Sequence, residues 1–136
     1  MVKISDEINQ FLERQKLGFV ATVSPDNTPN VSPKGTIFRW DDEHLIFADI
    51  KSPQTISNLQ TNSTVEINVI DPILRKGYRF KGNGIIIKDD DEFSKILKFY
   101  EEKGTKSKIN AAVKIDRKST RLNSSHSQQS RMPSSA

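Results

Sequence analysis

Two short polar segments hold the side chains of this sequence best suited to chemistry. The first is Ser32-Pro33-Lys34-Gly35-Thr36, a polar, proline-kinked patch inside an otherwise strand-like stretch. The second is Lys51-Ser52-Pro53-Gln54-Thr55, which places a cation and hydroxyls where a helical pattern begins. A helix start leaves backbone N–H groups without intrahelical partners, and the aligned peptide dipoles favour an anion there. On the residues alone, the second segment reads either as an anion site or as a plainly capped helix. The first reads either as a ligand-lining kink or as a bulged edge strand. On adjacent strands of one small barrel, the two could hold a phosphate at one end of a ligand and polar ring atoms at the other.

Other chemistries find few residues to use. There is no cysteine, so no disulfide framework, thiol nucleophile or thiolate metal site can form. His44 and His126 are the only histidines, and no paired-histidine or calcium-loop spacing exists. Asp89, Asp90, Asp91 and Glu92 could suggest a cation site, but they stand where a helix start wants negative charge. Gly82-Asn83-Gly84 lacks the spacing and context of a dinucleotide fingerprint or a phosphate loop. The expected metal set is therefore none, and no side chain stands out as a catalytic acid, base or nucleophile.

The chain of 136 residues carries 21 basic and 17 acidic side chains, a net charge of +4. Four of the basic residues and one acidic residue lie in residues 116–136, so residues 1–115 carry only +1. The basic balance that would point to nucleic acid or a membrane surface thus belongs mainly to the last segment. That segment, DRKSTRLNSSHSQQSRMPSSA, is polar and serine-rich. Back-translated, residues 116–126 follow a widely used sequencing adapter codon by codon, and residues 130–136 follow its continuation after a short index. Residues 116–136 are therefore expected to be a disordered, non-native tail, with the natural chain interrupted near Ile115. No apolar run approaches the length of a membrane span, and MVKISDEINQ has no signal-peptide core, so a cytoplasmic location is expected.

The elements that must position the two segments follow from periodicity. SDEINQFLERQK spaces Ile8, Phe11 and Leu12 on one helical face, with Ser5 as N-cap. LGFVATVS, NVSPKGTIFRW and HLIFAD read as three strands, with Pro33 marking the second as an edge or kink. KSPQTISNLQTNS reads as a helix capped by Ser52 with Pro53 at its first position. TVEINVID alternates cleanly, and GYRFKGNGIIIK is a longer strand whose glycines signal bending or close backbone approach. DDDEFSKILKFYEEKG predicts a helix turning Phe93, Ile96, Leu97 and Tyr100 inward and stopping at Gly104. KINAAVKI is the last strand. The expected class is α+β, a six-stranded antiparallel split β-barrel of Greek-key type with two to three short helices.

The stretches LGFVATVSPDNTPNVSPKGTIF, LIFADIKSPQTISNLQTNSTVEINVIDP and RKGYRFKG resemble the pyridoxamine 5′-phosphate oxidase-like family of FMN-binding split barrels. The resemblance covers residues 18–104 in the expected order and spacing, and it implies residues 1–115 as one FMN-binding domain. It further implies a homodimer with FMN in two clefts between subunits and a small-molecule substrate, without nucleic acid or membrane partners. Carried over by residue, Ser32, Lys34, Gly35 and Thr36 would line the flavin, with Ala48 and Asp49 beside its ring. Lys51, Ser52 and Thr55 would hold the phosphate, and Arg79 would reach the phosphate or the facing subunit. Pro53 and Gln54 depart from the vitamin B6 oxidases, which place basic phosphate ligands there, so the resemblance points to a small relative.

The implied activity is FMN-dependent hydride transfer between a nicotinamide-type donor and a small-molecule acceptor. Two alternatives compete with it. One is a flavin- or haem-binding carrier or sensor on the same fold. The other is a barrel binding single-stranded nucleic acid through the tail, which a nearly neutral body with core phenylalanines disfavours.

Overall fold

The computed structural model describes residues 3–124. The chain runs α1 (Asp6–Gln15), β1 (Gly18–Val23), β2 (Pro29–Lys34), β3 (Phe38–Arg39), β4 (His44–Asp49), α2 (Pro53–Thr61), β5 (Thr64–Asp71), β6 (Lys76–Ile87), α3 (Asp91–Glu102) and β7 (Ala111–Ser124). All seven strands join one antiparallel sheet in the order β2-β1-β5-β6-β7-β4-β3. The two end strands, β2 and β3, are consecutive in sequence and joined by residues 35–37 alone. The sheet must therefore curl until its ends meet, which is the split barrel. The predicted second strand is broken at this junction, and seven strands replace six for that reason.

Alternation along the strands divides the core in two. Leu45 and Phe47 of β4, with Val113 and Ile115 of β7, join Val20, Ile67, Val69 and Phe80 in the barrel interior. Their neighbours Ile46, Ala48 and Ala112 point the other way, against Ile96 and Tyr100 of α3. Strand β4 is thus covered on both faces, which explains its unbroken apolar sequence. Helix α1 plugs the barrel with Phe11 and Leu12, and its N-cap Ser5 accepts the Ile8 N–H at 3.2 Å. Helix α3 is capped by Asp90, whose carboxylate accepts the Phe93 N–H at 2.8 Å, and it is followed by Gly104 at a φ of 87°. Leu97, expected to face inward, is 37% exposed, because Ile96 and Tyr100, flanked by Phe93 and Phe99, complete that face.

Disorder from residue 116 onward is corrected for residues 116–124, which extend β7 along the first half of β6. The physical reason is that ladder pairing uses backbone groups, whatever the side chains. An open edge on a 12-residue strand is a template for any chain running past it. The fit is imperfect. The register shifts between Lys81 and Gly82, where a side chain on Gly82 would run into the Asp116 carbonyl. Residues 125–136 lie outside the described residues, and the expectation for them with it. Among the described residues no helix is long and apolar enough to cross a membrane.

Candidate functional site

The seam between the sheet ends is where the two polar segments meet. On β2, side chains alternate, so Asn30, Ser32 and Lys34 share one face while Val31 and Pro33 take the other. That face looks onto the first turn of α2. The Asn30 amide lies 3.5 Å from the Thr55 hydroxyl, the Ser32 and Ser52 hydroxyls are 3.4 Å apart, and the Lys34 ammonium donates to the Ser52 hydroxyl. Ser52 holds the N-cap position, yet its side chain caps nothing and no acid stands in the first turn. The expected capped helix is thus replaced by an uncapped one, its serine hydroxyl turned to Lys34. The start of α2 keeps its dipole and orphan donors directed at the seam.

Lys34 is only 6% exposed, its ammonium 5.8 Å from the Phe47 ring centroid. Burial pushes its pKa below the ordinary lysine value, and the Asp49 carboxylate partly opposes that shift. Asp49 ends β4 and accepts the Ser52 N–H at 2.9 Å, so the acid fixes the turn into α2. On the opposite wall, the Thr36 hydroxyl accepts the Ala48 N–H at 3.0 Å. The Thr36 carbonyl accepts the Tyr100 hydroxyl at 2.6 Å, which ties the seam to α3.

These residues border a cavity of about 350 Å3 lined by Ser32, Pro33, Lys34, Gly35, Thr36, Ala48, Ile50, Lys51 and Ser52. Seven of the ten predicted site residues are therefore brought together. Asp49 and Thr55 stand just behind them, buried, as supports of α2. Arg79 lies elsewhere, on β6, with its guanidinium 3.2 Å from Glu66. Ile50 and Tyr100 belong to the site or its support although the sequence reading gave them no part in it. The i, i+2, i+4 polar alternation of Asn30, Ser32 and Lys34 was the available signal for a polar strand face. Nothing in the sequence marked the Tyr100 contact. His44 is half-buried and hydrogen-bonded to Asp41 at 2.7 Å, away from this cavity. Among the described residues no cluster of acidic or histidine side chains could hold a metal ion.

The geometry matches a known family. The family model described as pyridoxamine 5′-phosphate oxidase matches residues 4–129. This chain belongs to the pyridoxamine 5′-phosphate oxidase family. Among solved structures, a HupZ variant from Group A Streptococcus is 28% identical, with a TM-score of 0.80 over 88% of this chain and 99% of that one. A candidate pyridoxamine 5′-phosphate oxidase from Lactobacillus delbrueckii shares the fold at 22% identity and a TM-score of 0.73, covering 89% and 99% of the two chains. An FMN-binding protein from Syntrophomonas wolfei does so at 14% and 0.71, covering 85% and 83%. None of the curated proteins matches this chain in sequence.

The donor set fits the phosphate end of a flavin mononucleotide. A buried ammonium, two hydroxyls, a second lysine and an uncapped helix start converge on one cavity wall. Beside them runs the outer edge of β2, unpaired among the described residues, whose backbone donors and acceptors suit the amide-like rim of a flat heteroaromatic ring. At Gly35 a Cβ would meet nothing within 4 Å, so the backbone there borders open space.

Proposed function

We propose that this chain binds FMN at the seam and acts as an oxidoreductase, transferring hydride between a nicotinamide-type donor and a small-molecule acceptor. The observation that carries the reading is the buried Lys34 ammonium turned to the uncapped start of α2. A flavin supplies the redox chemistry when bound. The chain's own part is positional. Lys34 and Lys51 offset the phosphate charge, Ser32, Ser52 and the first-turn N–H groups of α2 orient it, and Asp49 holds that turn in place. The β2 edge and the Thr36 turn would hold the ring, beside the apolar core that contains Phe47.

The working unit in this reading is a homodimer. The outer face of β1 and β2 exposes Phe19 and Val31, at 41% and 62%, next to the Glu66–Arg79 pair. Adjacent apolar side chains of this size on an outer sheet face suit a self-complementary contact. In this reading Arg79, on that face, would meet the facing subunit. The proposed location is the cytoplasm.

The test is an absorption spectrum of the purified protein, then titration of flavin-free protein with FMN. A yellow dimer that loses its flavin in a Lys51→Ala, Ser52→Ala double variant is the expected result. A colourless protein that refuses FMN overturns the reading. FMN binding without oxidation of reduced nicotinamide, whatever acceptor is offered, would make the protein a flavin carrier instead.

A further inference from the structure

Helix α2 carries the proposed phosphate site at its first turn, yet among the described residues no backbone hydrogen bond ties the helix itself to the sheet. Asp49 fixes the turn that enters it. Ile56 and Leu59 pack into the barrel core, with the Leu59 methyls 3.1 and 3.3 Å from where a Cβ on Gly84 of β6 would stand. Apolar contact sets how deep the helix lies, but it is non-directional and leaves rotation about the helix axis to other groups.

Those groups form a polar clamp. Thr22 of β1 and Asn30 of β2 are direct cross-strand partners. Thr55 and Asn58 lie three residues apart on the face of α2 that meets them. The Asn58 amide donates to the Thr22 hydroxyl at 3.0 Å, and the Asn30 amide lies 3.5 Å from the Thr55 hydroxyl. Thr22, Thr55 and Asn58 are all buried. The Gln54 amide donates to Asn58 Oδ1 at 2.7 Å, which turns the Asn58 nitrogen toward Thr22. A buried amide held at both ends resists rotation, because unpairing either end costs more than an ordinary hydrogen bond contributes. None of Thr22, Gln54 and Asn58 lines the seam cavity. Asn58 stands about 9 Å along the helix from Ser52. A helix turned by about 25° shifts its Cα atoms by about 1 Å, since they lie about 2.3 Å from the axis. That is enough to break hydrogen bonds from the first turn to an anion held by Lys34.

We infer that Asn58, anchored on Thr22 and braced by Gln54, is the positioning residue that aims the start of α2 at the ligand phosphate. It acts through the rotation of the helix and touches neither ligand nor cavity. The inference rests on the reading that a flavin phosphate occupies the seam.

Thr22→Val keeps the shape of the side chain and removes the anchor. The test is FMN titration of the flavin-free full chain, followed by phosphorus NMR of the saturated complex. FMN affinity should fall about tenfold, the yield of one lost hydrogen bond to a charged group. The phosphorus signal should be displaced while the visible flavin spectrum stays parental. Thr22→Ser keeps the hydroxyl and should restore both affinity and signal. Gln54→Ala, at an exposed position that leaves the core intact, should lower affinity about threefold with the same displacement. Parental affinity in Gln54→Ala and Thr22→Val overturns the inference and spares the FMN reading. So does a lower affinity with an unmoved phosphorus signal, the result of a general loosening of the fold. A parent protein that binds no FMN removes both.

Discussion

Replacing Tyr100 with phenylalanine removes one oxygen from the interior and probes the link between α3 and the seam. The ring is fully buried and packs edge-on against Phe99 and Phe38 with centroids 5.5 and 5.9 Å away, contacts that phenylalanine keeps. The hydroxyl, 2.6 Å from the Thr36 carbonyl, is lost. Leaving a buried acceptor unpaired costs about 1–3 kcal/mol, which at about 4 °C per kcal/mol for a chain of this size lowers Tm by about 4–12 °C. Burial pushes the phenol pKa far up, so the hydroxyl stays a donor at high pH and the loss should not vary with pH. Differential scanning calorimetry measures the stability term, and FMN titration measures the consequence for the Thr36 turn, where affinity should fall severalfold. Tyr78→Phe, at a half-buried tyrosine, is the control and should leave both unchanged. A Tyr100→Phe protein with parental Tm and parental FMN affinity would refute the claim that α3 positions the seam.

Lys34→Met should abolish FMN binding while stabilising the ligand-free fold, since it removes a desolvated ammonium. In the parent, an anion favours the protonated amine. Affinity should therefore hold at neutral pH and fall as pH rises through the lowered Lys34 pKa, before lysine's ordinary value of about 10.4. The ligand-free fold responds in the opposite sense. The unfolded lysine binds its proton more tightly, so stability rises with pH between the folded and unfolded values. Binding isotherms and urea midpoints across alkaline pH measure the two, and an affinity flat through that range would contradict the assignment. Arg117 is 2% exposed; its Nη1 donates to the Thr120 hydroxyl, while its Nε and Nη2 have no hydrogen-bond partner among the described residues. Arg117→Met should raise stability by about 1–3 kcal/mol, read as a higher urea midpoint. A lower midpoint would show that the guanidinium is satisfied in solution.

How much of this was legible beforehand depended on which signals were local. The three helices and the alternation of β5 are written in spacing, and they form where that spacing places them. The split of the second strand was not, because Gly35, Thr36 and Ile37 continue an apolar-polar pattern that a straight strand would also show. Only closure of the sheet forces the break. Ser52 has the composition of a cap but spends its hydroxyl on Lys34, a partner 18 residues away that no local rule supplies. Residues 116–124 have a disordered composition and nevertheless pair, since the backbone edge of β6 does not discriminate. The mismatch survives in the side chains, where the buried Arg117 guanidinium is only partly satisfied, by the Thr120 hydroxyl.

The closed seam also bears on the order of assembly. Its walls come from residues distant in sequence: β4 pairs with β7 from His44 to Asp116, and Thr36 waits for Tyr100, 64 positions later. Contacts this remote are paid for in loop entropy before they stabilise anything, so the sheet should close slowly and the cavity should form among the last features. A ligand that binds only the closed seam then has little to hold in the folding transition state. It should lengthen the lifetime of the native protein by slowing unfolding while leaving the folding rate almost untouched.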